Sequence, residues 1–186
     1  MQIDRIIYPV KTLGPGKRIA VWTIGCTKGC FNCSNPELWA ADKSKDIPVP
    51  DLYRYLEAIC SKNHVDGITF TGGDPLEQAE ELLALLALCE KLTGDILVYT
   101  GFKIEELDDR TVNELSRHIS CLVDGRYEEQ KNDNKSPLIG STNQRIFLFK
   151  EGYRDIYSDY LSKGRCVHNL FYSDKLISVG IHNKDK

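Results

Sequence analysis

No apolar run in this sequence is long enough to cross a bilayer. The longest, residues 82–89, is well under half of the ~20 residues that a spanning helix needs. Nor is there an excess of positive charge: 24 Lys and Arg against 27 Asp and Glu leave a formal charge of −3, which offers no broad basic field to nucleic acid. Repeats and low-complexity tracts are missing as well. The opening Met-Gln-Ile-Asp-Arg-Ile-Ile-Tyr-Pro lacks the apolar stretch of a secretory signal, and seven cysteines are an odd number for a disulfide framework. These absences predict a cytoplasmic protein with free thiols and with neither membrane nor nucleic acid as partner. What is left, 41% hydrophobic and 27% charged residues over 186 positions, predicts a single domain over 1–186 with an ordinary core.

Three of the cysteines stand together in Gly25-Cys26-Thr27-Lys28-Gly29-Cys30-Phe31-Asn32-Cys33-Ser34. The spacing CxxxCxxC puts three thiolates on one short loop. A cubane of four irons takes one cysteine per iron, so three thiolates leave one iron open to a ligand that is not protein. Zinc is the next reading, but a structural zinc site wants four protein ligands, and the nearest further candidates, Cys60 and His64, are a helix-length away. A redox pair of Cys30 and Cys33 would leave Cys26 idle. Phe31 and Trp39 are expected to pack around the site and limit its solvent access. Cys60, Cys89 and Cys121 fall in apolar patterns and read as small core residues. No two of the four histidines have ligand-like spacing.

Short apolar runs alternate with helical patterns along most of the chain. Strands are expected over 18–24, 67–70, 96–99 and 119–123, and helices over 50–60, 76–92 and 109–118, with Gly94 closing the second helix. This rhythm predicts a parallel sheet with right-handed crossovers. Residues 126–142 read as a polar loop, with a charged stretch at 128–135 that is solvated or serves docking. A strand follows over 144–149, then a hairpin of 166–172 with 176–182 about Ser173-Asp174. The βα units are too few for a closed eight-stranded barrel, so the expected fold is α/β: an incomplete, laterally open barrel with a C-terminal β-hairpin-like segment. Ligands of such folds gather at the carboxyl ends of the strands. The cysteine loop, Thr71-Gly72-Gly73, Thr100-Gly101 and Asp124-Gly125 each follow an expected strand and should share one rim.

Gly72 and Gly73 free backbone groups that suit the ammonium and carboxylate of an amino acid moiety. Asp74-Pro75-Leu76-Glu77 reads equally as a helix start, with Asp74 as N-cap and Glu77 closing a capping box. Asp124 is either a polar ligand contact or one half of an Asp-Gly turn.

Four segments together resemble the radical S-adenosylmethionine (SAM) superfamily and, within it, the small activases of glycyl radical enzymes, above all those of anaerobic ribonucleotide reductase. They are Gly14-Pro15-Gly16-Lys17-Arg18; the cysteine loop with Asn35-Pro36-Glu37-Leu38-Trp39; Thr71-Gly72-Gly73-Asp74-Pro75, similar to a Gly-Gly-Glu-Pro loop that binds the SAM amino group; and the late segments Val123-Asp124-Gly125-Arg126-Tyr127 and Gly140-Ser141-Thr142-Asn143-Gln144-Arg145. The resemblance spans residues 14–145. It implies a radical SAM barrel carrying a 4Fe-4S cluster on Cys26, Cys30 and Cys33. It further implies SAM held by its amino and carboxylate groups near Thr71, Gly72, Gly73, Asp74, Thr100 and Asp124. The activity implied is reductive cleavage of SAM to a 5′-deoxyadenosyl radical that takes a Cα hydrogen from a glycine of the partner enzyme. Flavodoxin or ferredoxin is the implied electron donor. Asp74 stands where the family commonly has Glu. Two alternatives are a radical SAM enzyme acting on a peptide or small molecule, and a zinc or iron–sulfur binding module without catalysis.

Overall fold

A computed structural model describes residues 1–172 and 175–183. Alternation of side chains along each strand explains how the chain is layered. In β2 (Arg18–Thr23), Ile19 and Val21 point to one face and Ala20 and Trp22 to the other; all are buried, because both faces are covered. The same parity runs through β3 (Gly67–Gly72), β4 (Ile96–Tyr99) and β5 (Cys121–Asp124): Ile68, Phe70, Ile96, Val98 and Leu122 meet the helices on one face, while Leu97, Cys121 and Val123 pack on the other. Strands buried on both faces carry the near-continuous apolar runs characteristic of parallel sheets.

These four strands are mutually parallel, and two antiparallel strands extend them, β1 (Ile3–Val10) beside β2 and β6 (Arg145–Leu148) beside β5. Among the described residues the result is a mixed α/β fold with a mainly parallel six-stranded sheet in the order β1-β2-β3-β4-β5-β6 and four α-helices. Helices α1 (Val49–Lys62), α2 (Ala79–Cys89) and α3 (Asp109–His118) cover one face through Leu52, Leu56, Leu82, Leu85, Leu86 and Leu115. The opposite face is shared. Helix α4 (Arg154–Ser162) sets Tyr157 against Leu97, Cys121 and Val123. The hairpin of β7 (Val167–Tyr172) and β8 (Lys175–Gly180) sets Val179 against Leu13, Ala20 and Trp22. The expected turn at Ser173 and Asp174 lies outside the described residues.

One expected element is corrected, and two others are additional to those expected. The helix expected over 76–92 begins as a short 3-10 turn, Pro75–Gln78, and is α-helical only over Ala79–Cys89; Glu90, not Gly94, caps its end. Pro75 supplies no N–H, and the Gln78 amide is spent on Gln2 and Ile24, so the first turn is set by tertiary bonds. Strand β1 and helix α4 were not anticipated. β1 is an edge strand whose register shifts twice, which breaks its alternation, and α4 buries only Tyr157.

At the amino ends of the parallel strands a buried cation organises the sheet. Arg18, fully buried, donates through Nε to Thr69 Oγ1 (2.7 Å), through Nη2 to the carbonyls of Ile68 (2.9 Å) and Asp95 (3.1 Å), and through Nη1 to Pro15 O (3.1 Å) and to the Asp95 carboxylate. Those bonds use all five of its N–H groups. Ser120 and Tyr157 (2.9 Å) donate to the other Asp95 oxygen, so the pair is enclosed and satisfied. Burial opposes the Arg18 charge, but Tyr157 and the Asp95 carboxylate together hold its pKa above the ordinary value.

Candidate functional site

β2 runs out at Thr23, and the cysteine loop follows, beginning at the left-handed Gly25 (φ 98°). The loop's root is pinned by backbone bonds, Gly25 N–H to Leu38 O at 2.8 Å and Cys26 N–H to Trp39 O at 3.0 Å. Its far end closes in a tight turn, Cys33 N–H to Cys30 O at 3.2 Å. Cys26, Cys30 and Cys33 are free, half-buried thiols that all open into one cavity of about 420 Å³, within the range of small-ligand and cofactor sites. Burial pushes the Cys26 thiol up, with the nearby Asp74 carboxylate and the other two cysteines adding to the effect. Were these cysteines to hold iron, they would do so as thiolates. Among the described residues no three His, Cys, Asp or Glu side chains lie close enough to share one metal ion. A cubane does not ask this of its cysteines, since each binds a different iron.

Thr71, Gly72, Gly73, Asp74, Thr100 and Gly101 line the same cavity. The glycines are required first by the protein. A Cβ on Gly72 (φ 116°) would sit 2.5 Å from the Thr23 backbone, and one on Gly73 would sit 2.5 Å from Gly25 O. The glycine loop is thereby laid directly on the root of the cysteine loop, with Gly73 N–H bonded to Thr23 O and Asp74 N–H to Gly25 O, each at 2.8 Å. Asp74 is almost fully buried. Its Oδ1 caps Leu76 N–H (3.1 Å) and accepts from Thr100 Oγ1 (2.9 Å), and its Oδ2 accepts from Gly101 N–H (2.8 Å). Burial raises its pKa, and these three donors only partly offset the rise. Asp74 and Thr100 are therefore joined at the cavity wall.

Asp124 is placed differently from its neighbour Gly125. The pleat turns Val123 and Asp124 to opposite faces, so Asp124 is buried on the helix side and is not among the cavity-lining residues, whereas Gly125 is. Its carboxylate accepts from Ile104 N–H (2.8 Å) and from Arg145 Nε (2.9 Å) and Nη2 (2.5 Å). Arg145 also makes a two-pronged pair with Glu105, both at 2.7 Å, which holds the Glu105 carboxyl down at about 2. Phe31 departs from the expectation more clearly, whereas Trp39 meets it in part by lining the cavity. Phe31 is 72% exposed and Trp39, on the cavity rim, is 37% exposed; the loop turns outward at Gly29 and Asn32, both with positive φ, and carries Phe31 into solvent. The core assignments of Cys89 and Cys121 hold, while Cys60 is half-buried.

Other cavity residues carried no motif. Lys28 lines it with the ammonium 3.0 Å from the centre of the Phe102 ring, a cation–π contact. Tyr99 donates to Leu138 O at 3.0 Å. The whole run from Ile177 to Asn183 forms a further wall, fixed by Thr12 Oγ1 to Val179 O (2.8 Å) and Arg165 Nη1 to His182 O (2.8 Å). Only the period-2 pattern of the hairpin was available to signal it, and that pattern does not say what a strand covers.

A family model described as a 4Fe-4S single cluster domain matches residues 12–147. The chain is also 31% identical to the anaerobic ribonucleoside-triphosphate reductase-activating protein of Enterobacteria phage T4, over 82% of this chain and 97% of the relative. It is 30% identical to the proteins of the same name from Haemophilus influenzae (77% and 96%) and Vibrio cholerae (76% and 95%).

Proposed function

Because this chain belongs to the family of anaerobic ribonucleoside-triphosphate reductase-activating proteins, with its 4Fe-4S single cluster domain, we propose that it is a radical SAM activase that installs a glycyl radical on an anaerobic ribonucleotide reductase. The observation that carries this is the opening of Cys26, Cys30 and Cys33 into the one cavity that the glycine loop also lines. Three thiols on one loop fit a four-iron cluster with one iron left for SAM, and the half-buried Thr71, Gly72 and Gly73 line the same cavity beside it, where the amino acid moiety would sit. When bound and reduced, the cluster supplies one electron to the sulfonium, chemistry that yields methionine and a 5′-deoxyadenosyl radical able to take a Cα hydrogen from a glycine.

The rest is the work of this chain's own residues. Asp74 and Thr100 lock the glycine loop to the end of β4 and keep the Gly72–Gly73 backbone facing the cysteines. Trp22, Tyr99, Ile177 and Val179 give the cavity apolar walls, which limit the water near a reactive species. We read the whole chain as one domain, its sheet as the incomplete barrel of that superfamily, and flavodoxin or ferredoxin as the donor.

Anaerobic reconstitution with iron and sulfide, followed by reduction and addition of SAM, should release 5′-deoxyadenosine and, with the reductase present, a glycyl radical doublet in electron paramagnetic resonance. Cys30→Ala should abolish both. A cluster that is intact and reduced yet yields neither product with the reductase present sinks the proposal.

A further inference from the structure

The cysteine loop does not determine its own shape. Between Cys26 and Cys33 its only internal backbone bond is the turn from Cys33 N–H to Cys30 O, and Gly29 and Asn32 both take positive φ. A loop with so few bonds of its own is held by what it touches. Three side chains from three other parts of the fold hold it. Glu77, before α2, accepts through a single oxygen both Thr27 N–H (2.9 Å) and Thr27 Oγ1–H (2.5 Å). Arg126, just past β5, donates to Lys28 O. Glu129, in the polar loop beyond, accepts from Asn32 Nδ2 at 2.6 Å.

Among the described residues the Glu77 side chain makes no other hydrogen bond or ion pair. The cap of the turn before α2 is made by Asp74, and the Asp74 N–H that a capping box would offer to Glu77 is already bonded to Gly25 O. We propose that Glu77 is a positioning residue for the cysteine loop. Its carboxylate fixes Thr27, and with it the adjoining Cys26, so that the three thiols stand ready for a cluster; Arg126 and Glu129 fix the middle and far side of the same loop. The inference rests on the reading that these cysteines ligate iron. It concerns the metal-free protein first, since the bonds are made by the chain alone.

The test uses the full chain with Glu77→Ala and Glu77→Gln. In the metal-free protein, Cys26 of Glu77→Ala should be alkylated by iodoacetamide several-fold faster than in the parent. The reconstituted protein should lose iron to a ferrous chelator roughly tenfold faster, the scale on which partners of metal ligands act. Glu77→Gln, whose amide oxygen can accept both Thr27 bonds, should restore most of both values; a carboxylate acting only by charge would not be rescued. Thr27→Val removes the hydroxyl bond alone and should give a smaller change in the same direction, and it decides the matter if Glu77→Ala does not fold. Alkylation unchanged by Glu77→Ala, or a Gln variant as impaired as the Ala variant, overturns the proposal. If the parent takes up no cluster, the reading of the cysteines fails, while the alkylation rates still judge Glu77.

Discussion

The two ends of the parallel sheet solve opposite problems. At the amino ends of the strands, Arg18, Asp95, Ser120 and Tyr157 form a polar group sealed from solvent in which every donor of the guanidinium is matched. At the carboxyl ends the cysteines are half-buried and open into a cavity, and hydrogen bonds bind loop to loop. The buried polar network stands at the end away from the cavity, and the rim carries the accessible thiols. In α/β folds binding loops sit at the carboxyl ends of strands in just this way.

That contrast can be broken from the closed end first. Arg18→Met leaves the Asp95 carboxylate buried without its partner and should cost about 3–5 kcal/mol, a fall in melting temperature of roughly 10 °C for a chain of this size, read by thermal denaturation of the metal-free protein. A loss below about 1 kcal/mol would mean the cluster is not the anchor described here.

Gly72→Ala at the open end should come next, at about 2–3 kcal/mol, because a positive φ and a Cβ against the Thr23 backbone act together. Gly25→Ala has the positive φ but no atom within 4 Å of the added Cβ, so it should cost about 1 kcal/mol. Measuring both by denaturant titration separates strain from collision.

Asp74→Ala strips acceptors from Leu76 N–H, Thr100 and Gly101 N–H and should cost about 2 kcal/mol. In the reconstituted protein the affinity for SAM should fall with it, measured by equilibrium binding.

The smallest effect is one of pH. Asp133, although partial burial opposes its charge, is lowered from 3.8 to about 2 by bonds from Ser136, Lys135 N–H and Arg165. A folded pKa below the unfolded one stabilises above the unfolded value, so this contribution is complete above pH 3.8 and is lost as pH falls to about 2. Asp133→Asn should flatten the acid limb of the stability curve over that interval.

Much of the fold was legible because apolar runs on two-sided strands are hard to mistake: β4 and α3 fall where periodicity put them. The cysteine loop was legible from spacing, and the shared rim followed from strand order. What the sequence concealed had specific causes. Asp124 and Gly125 are neighbours in the chain, yet the pleat sends the aspartate to the helix side, and parity depends on where β5 begins. Glu77 fits a capping box in sequence, but Gly25, some fifty residues away, takes the amide that the box needs. Phe31 is apolar and sits between two of the three cysteines, but the left-handed turns beside it aim it at water.

Arg18 also bears on how the chain folds. Its partners come from the segment before β2, from β3, and from the residue just before β4. Two strands alone satisfy only part of the guanidinium, and an intermediate that buries it early carries an unmet charge in its centre. Partial assemblies of the sheet are thereby penalised, and β2, β3 and β4 are coupled into one cooperative unit. A residue outside the cavity thus ties together the three strands from whose opposite ends the cysteine loop, the glycine loop and Thr100-Gly101 depart.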